Sequence, residues 1–385
     1  MQVVKAEPGV RRASDIFPAP PASHDPIGYN PGTLTDPLPA VERAMTAFRK
    51  RVRARPIEAY SQGRADLSEL REVCAEVFGG NAHNWAIADG HTATIDRMSN
   101  VMGQYFAGRV QVVSTFGEHI GGLGAFSSDP RVQVRQVPVD RIANTPGELF
   151  FISHVSYDTN RDNSDEIRRL SHRPDAPIVI VDGSQAIGQI DVDVTYLGCH
   201  AYLASGHKWL AGPHGTGLLY LRDDIVDVWP TPFRAGVPLC PELPIGKWEP
   251  RGGQDFSRIC GLTTAIREFQ LNKHRGLDQR TRFVRGLTRV LGPSVRVLDV
   301  TAPHGRVVVF EITGVDVYEV YSRLGQRGVS LKCIKKPERI IGSTGPLEVL
   351  RAGLPWWISA ARVREAISHL KEVVEELTVQ KKVAA

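Results

Sequence analysis

The sequence predicts an α/β protein, in which helices cover both faces of a mostly parallel sheet and a smaller α+β region follows. Between Asp66 and Leu221, short apolar runs alternate with helical stretches, as expected for strands buried on both sides. After about Gly276 the composition changes, and a helix, a strand and two further helices follow. The chain has 385 residues, 42% of them hydrophobic, which is enough to bury one large or two medium cores.

Six apolar runs are the predicted strands of the larger region. They are NWAIAD, RVQVVST, ELFFISHV, PIVIVD, HAYLAS and GTGLLYL. A proline-rich stretch from Val228 to Pro250 interrupts the pattern, and a helix resumes near Ser257. We therefore predict a large α/β domain and a smaller α+β domain, with the boundary between residues 275 and 290.

The chain is predicted to divide into three parts. Residues 1–25 are rich in proline, alanine and charge without periodicity, which predicts an N-terminal arm. Residues 26–280 are assigned to the large domain and residues 281–385 to the small C-terminal domain. A helix is predicted from Pro39 to about Arg55, and we expect it to pack on the small domain.

The end of this first helix carries a basic cluster from Arg49 to Arg55. Two interpretations are open: the cluster binds a polyanion, or it is a solvated helix face that can contact another subunit. The second is favoured, because no aromatic interleaving or nucleic-acid motif accompanies the cluster. Lys and Arg outnumber Asp and Glu by only 47 to 42. We therefore expect no nucleic-acid partner.

The cysteines and the apolar runs of the sequence indicate the cellular compartment and whether a metal or a membrane is expected. Five cysteines without a CxxC pair fit reduced thiols better than a disulfide framework or a zinc site. We therefore expect a cytoplasmic protein with no metal. No run reaches the roughly 18 apolar residues of a membrane span, and the first residues lack the apolar core of a signal peptide. No membrane partner is expected.

Lysines are few, which shortens the search for a reactive amine. Only 11 of the 47 basic residues are lysines, and Lys208 alone stands in a chemical context. The sequence CHAYLASGHKWLAGPHGTGLLYL puts it after a buried strand, in a turn of small residues that leads to a second strand. Burial at such a turn lowers the pKa of an amine, which can then form a Schiff base.

A carboxylate ends another predicted strand, 26 residues upstream. In PIVIVDGSQAIG the strand ends at Asp182, and Gln185 follows three residues later. Carboxyl ends of such strands face the ligand crevice. Pyridoxal phosphate needs a lysine, an acid for its ring nitrogen and donors for its phosphate. Alone, Asp182 is better explained as a helix cap or an ion pair; with Ser205, His207 and Lys208 at this spacing it predicts a pyridoxal phosphate site.

Two segments carry a resemblance to a known family. VDGSQAIGQIDVDVTYLGCHAYLASGHKWLAGPHGTGLLYL and EHIGGLGAF resemble the class V aminotransferase family of fold type I pyridoxal phosphate enzymes. The family includes cysteine desulfurases, selenocysteine lyases, isopenicillin N epimerase-like proteins and kynureninases. The resemblance extends with lower specificity from about Tyr29 to Leu370. It implies a large domain with a mostly parallel seven-stranded sheet, a small α+β domain, and a homodimer with sites at the interface.

The resemblance assigns a role to five residues of the central segment. It implies that Lys208 is the Schiff-base lysine and that Asp182 pairs with the ring nitrogen. It also implies that Gln185 bonds the ring hydroxyl, and that Ser205 and His207 hold the phosphate.

Two neighbouring segments add residues to this site. Gly90, His91 and Thr92 open a helix after NWAIAD, so their backbone donors and the Thr92 hydroxyl are expected to cradle the phosphate. A simple helix cap at Thr92 is the alternative. In VVSTFGEHIGG, His119 matches the histidine that stacks on the cofactor ring and can exchange protons with substrate. The alternative is a structural histidine.

Two weaker matches concern the ring side of the cofactor and the substrate. In HVSYDTN, Tyr157 falls where related enzymes have an Asn or another polar contact to the cofactor, and Asn160 replaces the usual glycine. The segment EVLRAGLPWWIS resembles the strand whose arginine binds the substrate's α-carboxylate, so the resemblance assigns Arg351 to substrate binding. A surface salt bridge is the alternative.

The sequence departs from the family pattern at two places. WEPRGGQDFSR has Gly252 and Gly253 where the family has a Thr that bonds the phosphate in the partner subunit; a backbone donor of Gly253 is expected to remain. Desulfurases carry a nucleophilic cysteine on a loop where this chain has Lys336 and Pro337. Cys333 comes too early for that loop, so we predict a strand residue and not a persulfide carrier.

A basic loop runs from Lys332 to Arg339 at the expected entrance of the site. It is either solvated charge or a surface that recognises an acidic or extended substrate, and Lys332 is the residue assigned to substrate on the second interpretation.

Taken together, these residues predict a pyridoxal phosphate enzyme that acts on an amino acid or an amino-acid conjugate. The preferred reaction is β-elimination by a carbon–sulfur lyase of the desulfurase-like group. An aminotransferase, or an isopenicillin N epimerase-like epimerase in specialised metabolism, is the alternative. A cofactor-binding protein without catalysis is a third possibility.

Overall fold

A computed structural model describes residues 27–28, 30–233, 235–298, 305–335, 340–341 and 348–384. The predicted N-terminal arm lies outside the described residues, and so do Lys336, Pro337 and Arg339 of the basic loop.

The described strands are β1 (Ile27–Gly28), β2 (Trp85–Ala88), β3 (Val110–Thr115), β4 (Glu118–His119), β5 (Val132–Val137), β6 (Leu149–Ser153), β7 (Ile178–Asp182), β8 (Ala201–Ser205), β9 (Gly217–Leu221), β10 (Val295–Val297), β11 (Val307–Ile312), β12 (Val329–Ser330), β13 (Lys332–Lys335), β14 (Ile340–Ile341) and β15 (Glu348–Gly353).

The described α-helices are α1 (Pro39–Ala54), α2 (Pro56–Phe78), α3 (His91–Tyr105), α4 (Ile120–Ser127), α5 (Ser164–Ser171), α6 (Val194–Leu197), α7 (Asp223–Val226), α8 (Ser257–Asn272), α9 (Leu277–Leu291), α10 (Val317–Gln326) and α11 (Ala360–Ala384).

A seven-stranded sheet in the order β2-β9-β8-β7-β6-β3-β5 forms the centre of the protein. Strand β9 is antiparallel to both of its neighbours, and β8, β7, β6, β3 and β5 are parallel to one another. The mostly parallel sheet is therefore confirmed, and each of the six apolar runs contains one strand. The seventh, β5, has the sequence VQVRQV with alternating burial, because it is an edge strand, and it is not an apolar run.

Helices cover both faces of the sheet, and the side chains of β6 illustrate the alternation. Phe150 joins a core that includes residues of α1, α2 and α8, whereas Phe151 joins a core with α3 and α4. Both phenylalanines are completely buried. This burial on two sides explains why the central strands are continuous apolar runs in the sequence.

The first helix packs within the large-domain range, on α8 and α2, and the expectation that it packs on the small domain is wrong. The predicted stripe of Val41, Met45 and Phe48 is buried. Gly261 of α8 allows the close approach, because a Cβ there would lie 2.8 Å from Cγ of Met45. In the basic cluster, Arg49 forms an exposed ion pair of 3.3 Å with Asp255, in agreement with the solvated interpretation.

A four-stranded antiparallel sheet, β10-β11-β15-β13, follows with α9, α10 and α11. Its core contains Phe283, Phe310 and Leu350 and uses only residues from Phe283 onward. The α+β character of the C-terminal part is therefore confirmed. Two short pairings join it to the first part: β1 with β12, and β4 with β14, in which Ile340 is opposite His119.

Among the described helices, none combines the length and the apolar character that crossing a bilayer requires.

Candidate active site

A cavity of about 980 Å³ opens at the carboxyl ends of β6, β7 and β8, beside the first residues of α3 and α4. This is the edge of the sheet at which α/β proteins bind ligands. The predicted site residues that line it are Gly90, His91, Thr92, His119, Tyr157, Asp182, Gln185, Ser205, His207, Lys208 and Lys332.

Lys208 follows β8 in a turn closed by backbone hydrogen bonds. The amide of Gly206 donates to Thr216 O (2.9 Å), and that of Gly212 donates to Gly206 O (3.0 Å). The Lys208 side chain faces the cavity but is otherwise surrounded by protein. Burial lowers the pKa of Lys208 to about 8, although the nearby Asp182 opposes this effect. An appreciable fraction of this amine is therefore unprotonated near neutral pH.

Asp182 is the last residue of β7 and is almost completely buried. Its Oδ1 accepts a 2.8 Å hydrogen bond from the amide of Ser184, and Nε2 of His91 lies 3.1 Å away. Burial alone would raise the pKa of Asp182, but His91, Lys208 and the Ser184 amide together hold it below the ordinary value. Asp182 is therefore ionised, as an acid that pairs with a protonated ring nitrogen must be.

His119 ends β4 and caps α4. Its Nδ1 accepts a 3.0 Å hydrogen bond from the amide of Gly121. Burial and the neighbouring Lys208 lower the pKa of His119 to about 4. The ring is therefore neutral with its proton on Nε2, so it is a hydrogen-bond donor at that atom.

The first turn of α3 is where the sequence predicts a phosphate cradle. Gly90 has φ +96°, and a Cβ on it would meet no atom within 4 Å, so this side of the cavity is open. The free amides at the start of a 15-residue helix attract an anion. The hydroxyl of Ser205, 3.3 Å from Oγ of Ser184, and the ring of His207 line the same cavity.

These residues fit pyridoxal phosphate. Lys208 supplies an amine with a lowered pKa and Asp182 an ionised carboxylate, while Gly90 leaves open space beside helix amides that would hold the phosphate. Each requirement that the sequence raised for this cofactor therefore has a residue in one cavity.

Gln185 has a more constrained environment than the sequence predicts. Its Nε2 donates to Gly32 O (2.9 Å), and its Oε1 accepts from Nε1 of Trp209 (3.1 Å). One amide hydrogen remains for the predicted bond to the cofactor hydroxyl. Gly32 belongs to the segment before α1, so this amide also fixes the N-terminal segment across the site.

Arg351 and Tyr157 lie together beside the cavity. Nη1 of Arg351 donates a 2.9 Å hydrogen bond to the carbonyl oxygen of Tyr157, and Cζ lies 4.6 Å from the centroid of its ring. Arg351 is only 3% exposed, and its Nη2 has no partner among the described residues. The surface salt bridge is therefore excluded as the role of this guanidinium. A buried donor without a partner points to a ligand.

The ring of Tyr157 also contacts His119, with the two ring centroids 4.6 Å apart and the ring planes tilted by 56°. It also belongs to a small apolar cluster with Trp209 and Val309. Tyr157 thus contacts two neighbouring site residues and lines the cavity, and its predicted polar contact with the cofactor stays a prediction.

Of two other predicted site residues, Lys332 and Gly253, only the first lines the cavity. Lys332 is opposite Arg351 in the pairing of β13 with β15 and lines the cavity. Gly253 does not line it, and a Cβ there would meet no atom within 4 Å. Its predicted contact with the phosphate of the partner subunit stays a prediction.

Two features of the site escaped the sequence analysis. The imidazole of His91 lies on Asp182, although the sequence suggested only its backbone amide. Glu118 is buried, and it accepts hydrogen bonds from Oγ1 of Thr115 (2.5 Å) and the amide of Ser153 (3.0 Å). Burial raises the pKa of Glu118 to about 7. Both residues could have been noticed in the sequence, because each is a titratable residue within a segment that the sequence analysis singles out: His91 in the predicted phosphate cradle and Glu118 in EHIGGLGAF.

The cysteines lie away from this chemistry. All five are in the described part of the chain, and none lines the cavity. Cys333 is in β13, opposite Leu350, and packs on the small-domain core, so it is a strand residue as predicted. Burial raises the pKa of the Cys74 and Cys199 thiols.

Comparison with known families gives the class of the protein. Residues 133–333, more than half of the chain, match the family described as Aminotransferase class-V. The chain therefore belongs to the class V aminotransferase family, and the predicted resemblance is confirmed. The cofactor of this family is pyridoxal phosphate, in agreement with the residues that line the cavity.

Curated relatives are similar at modest identity. The isopenicillin N epimerase of Streptomyces clavuligerus is 28% identical over 218 residues, which cover 51% of this chain and 54% of the relative. A cysteine desulfurase of Wigglesworthia glossinidia brevipalpis is 27% identical over 189 residues, or 44% and 45% of the two chains. The chain thus spans about half the length of these relatives. A probable cysteine desulfurase of Xylella fastidiosa (strain Temecula1) is 25% identical over 353 residues, which cover 82% of this chain and 80% of the relative.

Solved structures confirm the fold. A cysteine desulfurase from Thermococcus onnurineus NA1 has a TM-score of 0.76 at 17% identity, covering 91% of this chain and 94% of its own. The cystine C–S lyase C-DES, solved with cysteine persulfide, has a TM-score of 0.76 at 20% identity, covering 90% and 98%. The chain therefore has the fold type I architecture.

Proposed function

We propose that this protein is a pyridoxal phosphate-dependent carbon–sulfur lyase that performs β-elimination on a cysteine-derived amino acid. One observation carries the proposal: Lys208, Asp182 and His119 line one cavity, and none of the five cysteines, all of which are described, joins them. Persulfide formation on a cysteine of this chain is therefore not supported, whereas elimination needs no thiol from the protein.

Arg351 is proposed to bind the substrate's α-carboxylate. Its Nη2 is buried without a partner among the described residues, and Nη1 is held by the Tyr157 carbonyl. An unpaired buried guanidinium nitrogen gains a charge-assisted hydrogen bond when a carboxylate enters. Lys332, opposite it on the neighbouring strand, adds positive charge at the same wall of the cavity.

Lys208 is proposed to be the base that removes the substrate's α-proton. With its pKa lowered to about 8, Nζ can accept a proton near neutral pH and release it afterwards. Pyridoxal phosphate, when bound, supplies the electron sink for the pair left on the α-carbon. Asp182 would place its negative charge toward the ring nitrogen, and the first turn of α3 would hold the phosphate.

His119 is proposed to assist the leaving sulfur. Its neutral ring carries a proton on Nε2, so it can donate a hydrogen bond to the developing thiolate. The Cα–H and Cβ–S bonds break, the sulfur leaves as a thiol, and one water converts the rest to pyruvate and ammonium. No oxidant or reductant is needed.

The names of similar proteins support a sulfur-containing amino acid. Relatives are called cysteine desulfurase, and a structural neighbour is called cystine C–S lyase. The relative called isopenicillin N epimerase favours the second candidate, in which the α-carbon is reprotonated and no β-bond breaks. The two differ in their products, because epimerisation releases neither pyruvate nor thiol.

We also propose a cytoplasmic homodimer with domains at residues 26–280 and 281–385. The five thiols fit a reducing compartment, and the small-domain core begins at Phe283. Gly253 lies outside the cavity of its own chain in open space. This supports a contact with the site of a second subunit.

Product analysis tests the function. The purified protein, loaded with pyridoxal phosphate, is incubated with S-alkyl-L-cysteines, and pyruvate, thiol, substrate chirality and keto-acid-dependent amine transfer are measured. We expect pyruvate and thiol, absent with Lys208→Ala. Amine transfer to a keto acid, or loss of chirality, without pyruvate would overturn the lyase in favour of the alternatives.

A further inference from the structure

The side chain of His91 makes a contact that its position in the phosphate cradle does not require. Gly90, with φ +96°, turns the chain into α3, so that residue 91 points inward. The imidazole is 7% exposed, and Nε2 lies 3.1 Å from Oδ1 of Asp182, without the full alignment of a hydrogen bond. Nε2 has no other partner among the described residues.

The two oxygens of Asp182 have different surroundings. Oδ1 meets two donors from two elements: the amide of Ser184 at 2.8 Å and Nε2 of His91 at 3.1 Å. Oδ2 faces α4, where a Cβ on Gly122 would lie 3.1 Å from it. Because residue 122 is a glycine, α4 approaches Oδ2 closely, and a side chain at this position would press on the carboxylate.

This difference between the two oxygens matters for a ligand that forms a hydrogen bond with only one of them. A carboxylate can rotate about its Cβ–Cγ bond, and a single amide donor leaves that rotation partly free. A second donor on the same oxygen fixes the plane of the carboxylate. Residues that hold a ligand in this way affect affinity without touching the ligand.

A purely structural role explains the buried imidazole of His91 less well than a role in holding Asp182. A buried imidazole without a hydrogen-bond partner is destabilising, and an apolar residue would fill the same volume without that cost. The contact with Asp182 is the polar interaction that this ring makes at Nε2.

We propose that His91 is a positioning residue that fixes Oδ1 of Asp182, so that Oδ2 receives the protonated ring nitrogen of pyridoxal phosphate. This inference depends on the proposed function, because it assumes that Asp182 faces the cofactor. It concerns the affinity and electronic state of the cofactor and not the reaction that follows.

The test uses pyridoxal phosphate itself as the probe and the full-length chain. Kd is measured by titrating the cofactor-free protein, and the visible band of the Lys208-bound cofactor is recorded. His91→Leu is expected to raise Kd about tenfold and to shift the band, because the polar contact of Nε2 with the Asp182 carboxylate is lost. His91→Gln retains a donor and is expected to restore Kd to within about threefold of the wild type. His172→Leu is the control, because His172 is not among the residues that line the cavity.

The outcomes separate the two proposals. A wild-type chain that does not bind the cofactor would overturn the proposed function and this inference together. Wild-type binding with an equal Kd and an unchanged band for His91→Leu would overturn this inference alone, and so would a His91→Gln variant as weak as the leucine variant. Urea unfolding of the cofactor-free variants checks the fold. If His91→Leu fails to fold, the Kd of His91→Gln compared with that of the wild type decides.

Discussion

The guanidinium of Arg351 stacks on the ring of Tyr157, with Cζ 4.6 Å from the ring centroid and Nη1 donating to the Tyr157 carbonyl oxygen at 2.9 Å. The same ring contacts His119, with the two ring centroids 4.6 Å apart. Tyr157 therefore links the proposed carboxylate-binding residue to the proposed hydrogen-bond donor for the leaving group. We expect this arrangement to give a tyrosine a function at a position where related enzymes have an Asn or another polar contact to the cofactor.

Replacement of Tyr157 tests this link. Tyr157→Leu removes the aromatic face, and we expect KM to rise about 5- to 20-fold, corresponding to about 1–2 kcal/mol for a buried cation–π contact. Tyr157→Phe keeps the face and should stay within about twofold in KM. Steady-state kinetics with a cysteine conjugate give both values. An equal rise for both variants would show that the hydroxyl, and not the stacking, carries the effect.

The pKa of Lys208 predicts how cofactor uptake depends on pH. Burial lowers this pKa to about 8, and only the unprotonated amine attacks the cofactor aldehyde. The rate of uptake by the cofactor-free protein should therefore rise about tenfold per pH unit below pH 8 and level off above it. Stopped-flow absorbance measures the rate, with Lys208→Ala as the control that gives no band. A plateau that begins only near pH 10 would contradict the lowered pKa.

Gly122 is predicted to be required for space beside Asp182. A Cβ there would lie 3.1 Å from Oδ2 of Asp182 and 2.9 Å from Cζ of Phe151. We expect Gly122→Ala to weaken cofactor binding about tenfold by displacing the carboxylate. Gly108→Ala is the matched control, because the nearest atom to its added Cβ is 3.9 Å away. Equal cofactor Kd values for the two variants would count against the assignment of Oδ2.

A buried ion pair outside the cavity lining is expected to contribute strongly to the stability of the protein. Nη2 of Arg71 lies 2.6 Å from Oε1 of Glu249, and both side chains are nearly inaccessible. Arg71→Met leaves a buried carboxylate unpaired and should lower the free energy of unfolding by about 3–5 kcal/mol. Arg49→Ala, which removes a half-exposed pair with Asp255, should cost about 0–1 kcal/mol. Urea denaturation measures both.

This stability deficit should also depend on pH. Burial raises the pKa of Glu249 to about 7, above its unfolded value of 4.5, so the folded state binds more protons between these pH values. Stability from this group is therefore lost as the pH rises through 7. Arg71 opposes this rise in pKa, so its removal raises the pKa of Glu249 further, and the variant loses more stability than the wild type as the pH increases. The deficit of Arg71→Met is therefore expected to be larger at pH 8 than at pH 6. A deficit that shrinks over this range would contradict the burial of an ionisable Glu249.

The sequence was most informative where local pattern and chemistry coincide. Continuous apolar runs predicted six of the seven central strands, because burial on both faces leaves no polar alternation to confuse the pattern. Lys208 was found by elimination among few lysines, and Asp182 by its position at a strand end. These residues lie together in the structure because parallel strands end at one edge of the sheet.

The remaining features depend on contacts between distant parts of the chain. Strand β5 is an edge strand with alternating polarity, so it does not form an apolar run. The docking of α1 on α8 depends on the glycine at position 261, and the fixed amide of Gln185 depends on Gly32, more than 150 residues away. The stacking of Tyr157 needs Arg351 from the other end of the chain. None of these relationships leaves a periodic signal in the sequence.

The most direct test of the central claim is the ratio of pyruvate to thiol formed from an S-alkyl-L-cysteine, without any keto acid, by the loaded wild type, Lys208→Ala and Cys333→Ser. If Lys208 performs the elimination without a protein thiol, the wild type and Cys333→Ser form one pyruvate per thiol at similar rates. Lys208→Ala forms neither product. Loss of activity in Cys333→Ser, or thiol-free turnover by the wild type, would contradict the account.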